Sequence, residues 1–280
     1  MNGPENFHIQ HIDEVPFKLK APFDFSFLGK YGKVFKVFDE QESGNVCFGV
    51  QSSEKRYFVK FAGAPTVRAN ISQPEAVKRM KSTVKIYRDL AHPALTNLID
   101  EEEIGSGHTM VFEWTDAECM GRQYTHSREK FIQMPLETKQ KVFDDILDFH
   151  AHAAKQGYIA IDFYDGSIMY DFEADRTVIC DIEFYAKTPY INTMGRMYGS
   201  SRFMSPEEFT IGATIDEITN VYTMGATAFA LFGDSKDRSF EKWTLSKALF
   251  EVAKRAVSDN RSERQQSIGQ LIAEWRAAKS

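Results

Sequence analysis

The feature that most constrains this chain is the stretch 159–184, in which two aspartates flank a predicted hairpin. Two short apolar runs on either side of the polar turn 171–176 are typical of paired antiparallel strands. Asp162 precedes the first run, and Asp181 lies at the end of the second. The hairpin would bring both carboxylates toward one end, where one could orient a hydroxyl and the other could hold a divalent cation. Because aspartate is also a common turn residue, a plain hairpin is the alternative.

Length and charge exclude several classes of protein. A chain of 280 residues can bury one large core or two modest ones, and we expect two lobes. Its net charge of -6 gives no general attraction to nucleic acid or to an anionic membrane, and no apolar run is long enough to span a bilayer. Cys47, Cys119 and Cys180 are scattered and indicate neither a zinc site nor a disulfide framework. We therefore expect a cytoplasmic protein.

The first third of the chain predicts a small antiparallel sheet. Residues 1–21 lack periodicity and suggest a tail or an appended strand, whereas apolar and polar residues alternate from Lys33 onward. Lys60 lies between Val59 and Phe61 in the third predicted strand. It could simply face water, as strand lysines usually do. The three predicted strands are 34–38, 46–51 and 57–62.

Two helices are predicted from caps and apolar periodicity. The segment 72–90 begins with Ser72 as N-cap and Glu75 as its reciprocal partner three residues later, which is a capping box. The segment 136–156 carries His150 on its apolar face. A hydrogen-bonded core histidine is the favoured interpretation there, and a catalytic base is the alternative.

Several motifs resemble the eukaryotic-type protein kinase superfamily. Residues 199–207, Gly-Ser-Ser-Arg-Phe-Met-Ser-Pro-Glu, are similar to the end of a kinase activation segment, Gly-Thr-x-x-Tyr-x-Ala-Pro-Glu. Asp162 and Asp181 would match the aspartates of the catalytic His-Arg-Asp loop and of the metal-binding Asp-Phe-Gly segment. Residues 220–225 resemble the central helix of the large lobe, and 259–264 resemble a late motif that carries an arginine. The order and spacing of these motifs cover most of the chain.

The resemblance implies an α+β, two-lobed protein kinase-like fold. A small N-lobe of antiparallel sheet plus one helix would precede a large, mainly helical C-lobe. The implied boundaries are a tail at 1–21, the N-lobe at 22–115 and the C-lobe at 116–280. Glu207 and Arg264 would form a buried ion pair in the large lobe.

The resemblance also implies a site for ATP and Mg²⁺. Asp162 would position the acceptor hydroxyl and accept its proton, while Lys60 would hold the phosphates, with Glu75 as a possible partner. The implied nucleotide-binding residues are Gly44, Val46, Lys60, Phe112, Glu113, Trp114 and Thr115. The implied magnesium ligands are Asp181, Ser167 and Glu183.

Two parts of the implied nucleotide site stay open. The turn 39–46 adjoins the lysine strand, but it is acidic and keeps a single glycine. The alternative turn 29–34 has two glycines and two lysines but lies one strand farther away. The strand 109–114 would lead into an adenine-binding hinge, and an ordinary edge strand is the other interpretation.

The catalytic stretch departs from the family pattern at four positions. Ile161 replaces the arginine through which a phosphorylated activation segment signals, and Tyr164 replaces a lysine that stabilises the transferring phosphoryl group. Ser167 replaces an asparagine metal ligand, and Glu183 replaces a glycine. In the predicted helix 72–90, Thr83 occupies the position of the family's glutamate.

Three functions are compatible with these residues. The favoured one is a divergent Ser/Thr protein kinase that transfers the ATP γ-phosphoryl group to a protein hydroxyl. The second is a small-molecule phosphotransferase of the aminoglycoside or choline kinase type, whose relatives generally lack the Ser-Pro-Glu segment. The third is a pseudokinase, a binding module without catalysis. Neither nucleic acid nor membrane is expected as a partner.

Overall fold

A computed structural model describes residues 7–279, which form an α+β protein. The chain divides into two compact units. The first contains residues 7–91 and 96–115, and the second contains residues 92–95 and 116–279. No helix among the described residues is both long enough and apolar enough to cross a lipid bilayer.

The first unit begins with a β-hairpin of His8–Ile12 (β1) and Val15–Leu19 (β2). Phe17 and Leu19 are buried, and both join the hydrophobic core of the unit. Of the two alternatives predicted for residues 1–21, the appended strand is therefore confirmed for this hairpin and the tail is wrong for it, because burial of its apolar side chains fixes it to the rest of the unit. Residues 1–6 of that predicted tail lie outside the described part of the chain.

The main sheet of the first unit is antiparallel, with the order β3-β4-β5-β7-β6. Its strands are Lys33–Phe38 (β3), Asn45–Gln51 (β4), Arg56–Ala62 (β5), Leu98–Ile104 (β6) and Gly107–Glu113 (β7). The three strands predicted between residues 33 and 62 are confirmed. The strand predicted at 109–114 lies inside the sheet, because β5 and β6 pair with its two sides. The edge-strand interpretation is therefore wrong.

One helix, Gln73–Asp89 (α1), packs against this sheet through contacts with β5 and β7. The predicted capping box is present, since Ser72 and Glu75 bond reciprocally at its N-terminus. Tyr87 of α1 lies edge-on to Phe112 of β7, with ring centroids 4.9 Å apart. The helix therefore covers the face of the sheet that carries Phe112.

The two faces of the sheet differ because side chains alternate along each strand. One face is the hydrophobic core, which Val46, Val59 and Phe61 share with the N-terminal hairpin. Lys60 pairs with Cys47 on β4 and with Met110 on β7, so its side chain belongs to the opposite face. That opposite face is the one on which α1 packs.

The second unit is mainly helical and carries several short strand pairs. Its helices are Thr125–Ile132 (α2), Leu136–Lys155 (α3), Glu217–Phe232 (α4), Lys247–Ala256 (α5) and Ile268–Lys279 (α6). Its strands are Glu118–Cys119 (β8), Tyr158–Ile159 (β9), Ile168–Asp171 (β10), Arg176–Ile179 (β11), Ala186–Lys187 (β12), Tyr190–Ile191 (β13) and Thr214–Ile215 (β14). The predicted helix at 136–156 and the predicted hairpin, β10–β11, are confirmed.

The core of the second unit is built around α4, most of whose side chains are buried. Phe232 of α4 contacts the ring of Phe143 on α3, with centroids 5.9 Å apart, and Trp275 on α6 lies 4.8 Å from the same Phe143 ring. Burial of such large rings is a main source of stability in helical packing. These ring contacts join α3, α4 and α6.

Candidate functional site

The loop that carries Asp162 is attached to the central helix of the second unit. The Ala160 N–H donates to Asn220 Oδ1 at 2.7 Å, and Asn220 Nδ2 donates to the Ala160 carbonyl at 2.8 Å. Asn220 lies on α4 and is buried. Because one amide side chain satisfies both backbone groups, the chain is fixed two residues before Asp162.

Asp162 and Asp181 share an unusual backbone conformation. Their φ angles are 65° and 59°, in the left-handed region that residues with a Cβ rarely adopt. The segments that carry them are joined, because the Cys180 N–H donates to the Ser167 carbonyl at 3.0 Å. Asp181 lies beyond the last residue of β11, which is Ile179, and not at the strand end as predicted. Strain of this kind persists where the surrounding structure holds it, and it is concentrated at functional sites.

The carboxyl group of Asp162 has an unusual affinity for protons. Burial, reinforced by the charge of nearby Asp181, raises its pKa to about 7, while Arg196 acts in the opposite direction. No lysine or arginine among residues 7–279 forms an ion pair with this carboxylate. A carboxyl group that titrates near neutral pH is suited to accept a proton from a substrate hydroxyl.

The segment that resembles an activation segment lies directly against Asp162. A Cβ built on Gly199 would lie 3.5 Å from Asp162 Oδ1, in ordinary contact, and the φ of 127° at Gly199 is the reason that this position favours glycine. Arg196 Nη2 donates to the Gly199 carbonyl at 2.9 Å, and its Nη1 donates to the Met197 carbonyl at 3.2 Å. Arg196 thus brings a positive charge close to the carboxyl group, in a region where the expected loop cations are missing.

Tyr164 packs over the backbone of its own loop. A Cβ on Gly166 would lie 2.4 Å from the Tyr164 ring, which explains why glycine is needed there. Burial and the negative charges of Asp162 and Asp181 raise the pKa of the Tyr164 hydroxyl. The side chain therefore stays neutral and provides no substitute for the lysine expected at this position.

The expected magnesium ligands provide oxygen atoms only. Ser167 is buried, and its hydroxyl donates to the Asp162 carbonyl at 3.5 Å; Glu183 is also buried. Within residues 7–279, no group of three or more His, Cys, Asp or Glu side chains is arranged to hold a metal ion. Magnesium needs only one or two carboxylates, completed by waters and phosphate oxygens. The oxygen atoms of Asp181, Ser167 and Glu183 are therefore of the chemical type that this ion prefers.

In the first unit, Lys60 lies at the end of the sheet where β3 turns into β4. It pairs with Cys47, which in turn pairs with Phe38, the last residue of β3. The row formed by Lys33, Gln51 and Arg56 lies at the other end, about 13 Å away at the usual rise per residue. The turn 39–44 is therefore the one beside Lys60. The alternative turn 29–34 instead lines a cavity of about 510 Å³ with residues 51–53.

Two predicted nucleotide-binding residues next to this turn, Gly44 and Val46, lie on different sides of the sheet. Gly44 has a φ of 79°, and its Cα faces α1, since a Cβ there would lie 3.1 Å from Ala76 Cβ. Val46 is fully buried in the core on the opposite face from Lys60. Val46 was predicted to be a nucleotide-binding residue, but its side chain is part of the hydrophobic core, and strand alternation places Cys47 on the face of Lys60 instead.

The carboxylate of Glu75 is used in the helix cap. Its Oε2 accepts bonds from the Ser72 N–H at 3.0 Å and from the Ser72 hydroxyl at 2.6 Å. Thr83, at the family's glutamate position, is buried and donates to the Arg79 carbonyl at 3.0 Å. The structure gives Glu75 a structural role in α1 that is independent of Lys60.

The residues expected to form the hinge are held by the sheet. The Glu113 N–H donates to the Asn97 carbonyl at 3.0 Å, and the Trp114 N–H donates to the Arg56 carbonyl at 3.2 Å. These two N–H groups are therefore not available to an adenine ring. Phe112 is buried, and Thr115 is the last residue of the first unit.

Aromatic rings fill the face of the sheet around Lys60. The Phe58 side chain, two residues before Lys60, belongs to the same face. Its ring centroid lies 5.7 Å from that of Phe38 and 6.3 Å from that of Phe112. Phe58 was not predicted to be a site residue, although it lies two positions before Lys60 in the sequence.

Glu207 and Arg264 form a bidentate ion pair. Arg264 Nη1 donates to Glu207 Oε1 at 2.7 Å and Nη2 donates to Oε2 at 3.0 Å, and Arg264 is fully buried. Burial by itself would raise the pKa of Glu207, but the hydrogen bonds and the charge of Arg264, together with a backbone hydrogen bond and the bond from Thr219, lower that pKa. Arg261 adds a second guanidinium group. Its Nη1 donates to Glu207 Oε1 at 2.9 Å, and its Nη2 donates to both carboxylate oxygens of Asp216.

His150 is a core residue. It is buried, with Nδ1 2.7 Å from the Ile146 carbonyl and Nε2 3.0 Å from the Tyr185 hydroxyl. Burial lowers its pKa to about 4, so the ring is neutral at physiological pH. The favoured interpretation of His150 is confirmed.

Sequence reasoning missed an ionic cluster in the same loop as Asp162. Asp165 is buried and pairs with Arg202 at 2.9 Å and with Arg128 at 3.0 Å. Both arginines are 37 positions away in sequence. Their pairing depends on the tertiary fold, and no local pattern indicates it.

Protein-family models and curated proteins give no relative of this chain. No protein-family model matches the chain, and no curated protein matches it at a significant level of similarity.

Proposed function

We propose that this chain has a divergent protein kinase-like fold and transfers the γ-phosphoryl group of ATP to a serine or threonine hydroxyl of a protein. The observation that carries the proposal is the state of Asp162. Asp162 is half-buried, its backbone lies in the left-handed region, and its carboxyl group is close enough to Asp181 for the two charges to interact. A carboxyl group of this kind is suited to receive the hydroxyl proton.

Each of the candidate site residues would have a separate role in such a reaction. Asp162 would orient the acceptor hydroxyl and take its proton, and Lys60 would hold the nucleotide phosphates. Asp181, Ser167 and Glu183 would hold magnesium, which neutralises phosphate charge when it is bound. Arg196 would keep the pKa of Asp162 from rising further, so that more of this carboxyl group is ionised at neutral pH.

A protein acceptor is favoured over a small molecule by the segment 199–207. This segment lies against Asp162 at Gly199, and Glu207 attaches its other end to Arg264. Small-molecule phosphotransferases of similar sequence generally lack it. We also propose a cytoplasmic location, as expected for an enzyme that uses ATP.

A pseudokinase is the second candidate, and Phe58 is the observation that favours it. In protein kinases the residue two positions before the phosphate-binding lysine is a small alanine. Here a phenylalanine ring between Phe38 and Phe112 narrows the space beside Lys60. Combined with the neutral Tyr164, this ring would weaken nucleotide binding and catalysis.

Calorimetric titration with ATP, with and without Mg²⁺, tests the proposal. We expect magnesium-dependent binding that Lys60→Ala weakens by about tenfold or more, since one charged contact to phosphate is lost. Lys33→Ala is the matched control, because Lys33 is an exposed strand lysine at the other end of the same sheet. Absence of ATP binding by the wild type would favour the pseudokinase. Equal loss in Lys33→Ala would point to the turn 29–34 as the phosphate loop.

The acceptor class is tested separately. Labelled γ-phosphate should appear on protein substrates and not on aminoglycosides or choline. Transfer to those small molecules alone would support the second phosphotransferase type instead.

A further inference from the structure

The most heavily paired carboxylate near Asp162 is Asp165. Its side chain is 2% exposed, and both of its oxygens accept hydrogen bonds. Arg202 Nη1 donates to Oδ2 and Nη2 to Oδ1, each at 2.9 Å, while Arg128 Nη1 donates to Oδ2 at 3.0 Å. Two parallel bonds from one guanidinium fix both position and orientation. We call Asp165, Arg128 and Arg202 the Asp165 cluster.

The cluster joins three separate parts of the second unit. Asp165 belongs to the loop of Asp162, Arg128 to α2 and Arg202 to the segment 199–205. Arg128 Nη1 also donates to the Met120 carbonyl at 3.2 Å. Breaking the Asp165 contacts would therefore release several connections at once.

A further arginine, Arg238, attaches the backbone of the same segment to α4. Arg238 Nη2 donates to the Arg202 carbonyl at 2.6 Å, and Arg238 Nη1 donates to the Tyr222 hydroxyl at 2.9 Å. The backbone of Arg202 is thus attached to α4 while its side chain is attached to Asp165. The segment is fixed on both sides.

We propose that the Asp165 cluster holds the segment 199–205 against the loop of Asp162 permanently, in place of a regulatory phosphate. Asp165, Arg128 and Arg202 are positioning residues in this proposal. It rests on the proposed phosphotransferase function in so far as it concerns the regulation of catalysis.

Arginine side chains can fix a segment in two ways. A phosphate added to a segment orders it by pairing with nearby arginines. Here the guanidinium groups of Arg128 and Arg202 already bond an internal carboxylate, which carries its charge without modification. Ile161 next to Asp162 offers no cation to which a phosphate could bind. The ordered arrangement is therefore built into the folded chain.

Hydrogen exchange measured on phosphatase-treated protein tests the proposal without any need for activity. The Phe203 N–H donates to the Ser200 carbonyl at 2.8 Å and reports on the segment. We expect this amide to be protected in the wild type, and its exchange to be faster by about tenfold or more in Arg202→Gln. An unprotected Phe203 amide in the dephosphorylated wild type, with protection gained on phosphorylation, would overturn the proposal.

Arg255→Gln provides a matched control. Arg255 also pairs with a carboxylate, Glu274, at 2.7 Å, but on α5 and α6. We expect it to leave Phe203 exchange unchanged. If Arg255→Gln accelerated this exchange as much as Arg202→Gln, general destabilisation would explain the effect and the proposal would fail.

Catalysis gives a second readout that separates the two proposals. If the chain transfers phosphate, phosphatase treatment should leave kcat unchanged, and Arg202→Gln should lower kcat by about tenfold or more while the KM for ATP changes little. Loss of activity on phosphatase treatment would contradict the cluster's role. A wild type with no activity under any condition would count against the proposed function, and the exchange experiment would still decide the role of the cluster.

Discussion

Asp162 and Asp165 lie three residues apart in one loop, yet their surroundings are opposite. Asp165 is held by two guanidinium groups, whereas the Asp162 carboxylate has no such ion pair among the described residues. The pKa of Asp162 rises to about 7 because burial and the charge of Asp181 both disfavour its ionised form.

The difference shows that one short loop can hold one carboxyl group suited to proton transfer and another that stabilises the fold. A carboxylate fixed by two arginines is stable but poorly suited to accept a proton, since its lone pairs are already used. A half-buried carboxyl group without an ion pair is costly, but it can exchange a proton near neutral pH. The loop contains one group of each kind.

Asp165→Asn should give the largest loss of stability in this loop. It removes the charge that Arg128 and Arg202 share and leaves two buried or half-buried cations facing each other. We expect the free energy of unfolding in urea to fall by about 3–5 kcal/mol. Asp144→Asn is the matched control, because Asp144 pairs with Lys279 at the surface and its loss should cost no more than about 1 kcal/mol. Equal effects for both variants would contradict the structural role of Asp165.

Asn220→Ala should have the next largest effect, on the Asp162 side of the loop. It leaves the Ala160 N–H and carbonyl buried without their partner, at a cost of about 2–4 kcal/mol in the urea unfolding free energy. Asn220→Asp is the more conservative variant, since aspartate can accept from the Ala160 N–H but cannot donate to its carbonyl. A change below about 0.5 kcal/mol in Asn220→Ala would show that water replaces both bonds.

Arg202→Gln should be milder than Asp165→Asn, because Asp165 keeps its bond to Arg128. We expect a loss of about 1–3 kcal/mol, measured in the same urea series. The double variant Asp165→Asn with Arg202→Gln should be less damaged than the sum of the two single variants, since no unpaired charge remains between them. Strict additivity would mean that the two side chains do not interact.

The smallest effect concerns pH. A carboxyl group whose pKa is raised in the folded state binds its proton more tightly there than in the unfolded chain, so stability falls as pH rises from about 4 through 7. Between pH 6 and 8, wild type should lose about 1 kcal/mol that Asp162→Asn does not lose. Glu208, whose pKa burial also raises to about 7, titrates in both proteins and cancels in the comparison. Parallel stability profiles of the two proteins would show that the pKa of Asp162 is not raised.

Sequence patterns predicted the parts of the fold that depend on local periodicity. The strands β3, β4 and β5, the capping box at Ser72 and the hairpin β10–β11 follow from alternation, capping chemistry and turn composition. For the N-terminal hairpin the sequence does not decide between a tail and an appended strand, because its alternating pattern is weak: Phe17 and Leu19 are the only buried residues in strands β1 and β2.

In the candidate site, only the residues that belong to a sequence motif were predictable. Asp162 and Asp181 were found from their positions around a hairpin, but the partners of Asp165 lie 37 positions away and carry no shared pattern. Val46 was expected among the nucleotide-binding residues, but its side chain lies on the core face, because a motif gives the residue and not the face of its strand. The packing of segments that are distant in sequence determines both the partners of Asp165 and the face on which Val46 lies.

Transfer of labelled γ-phosphate from Mg²⁺-ATP by the wild type and by Asp162→Asn tests the central claim most directly. Asn has nearly the same shape as Asp but cannot accept a proton, so we expect transfer to fall by about two to four orders of magnitude while the circular dichroism spectrum is unchanged. Equal transfer by the two proteins would contradict the role assigned to Asp162.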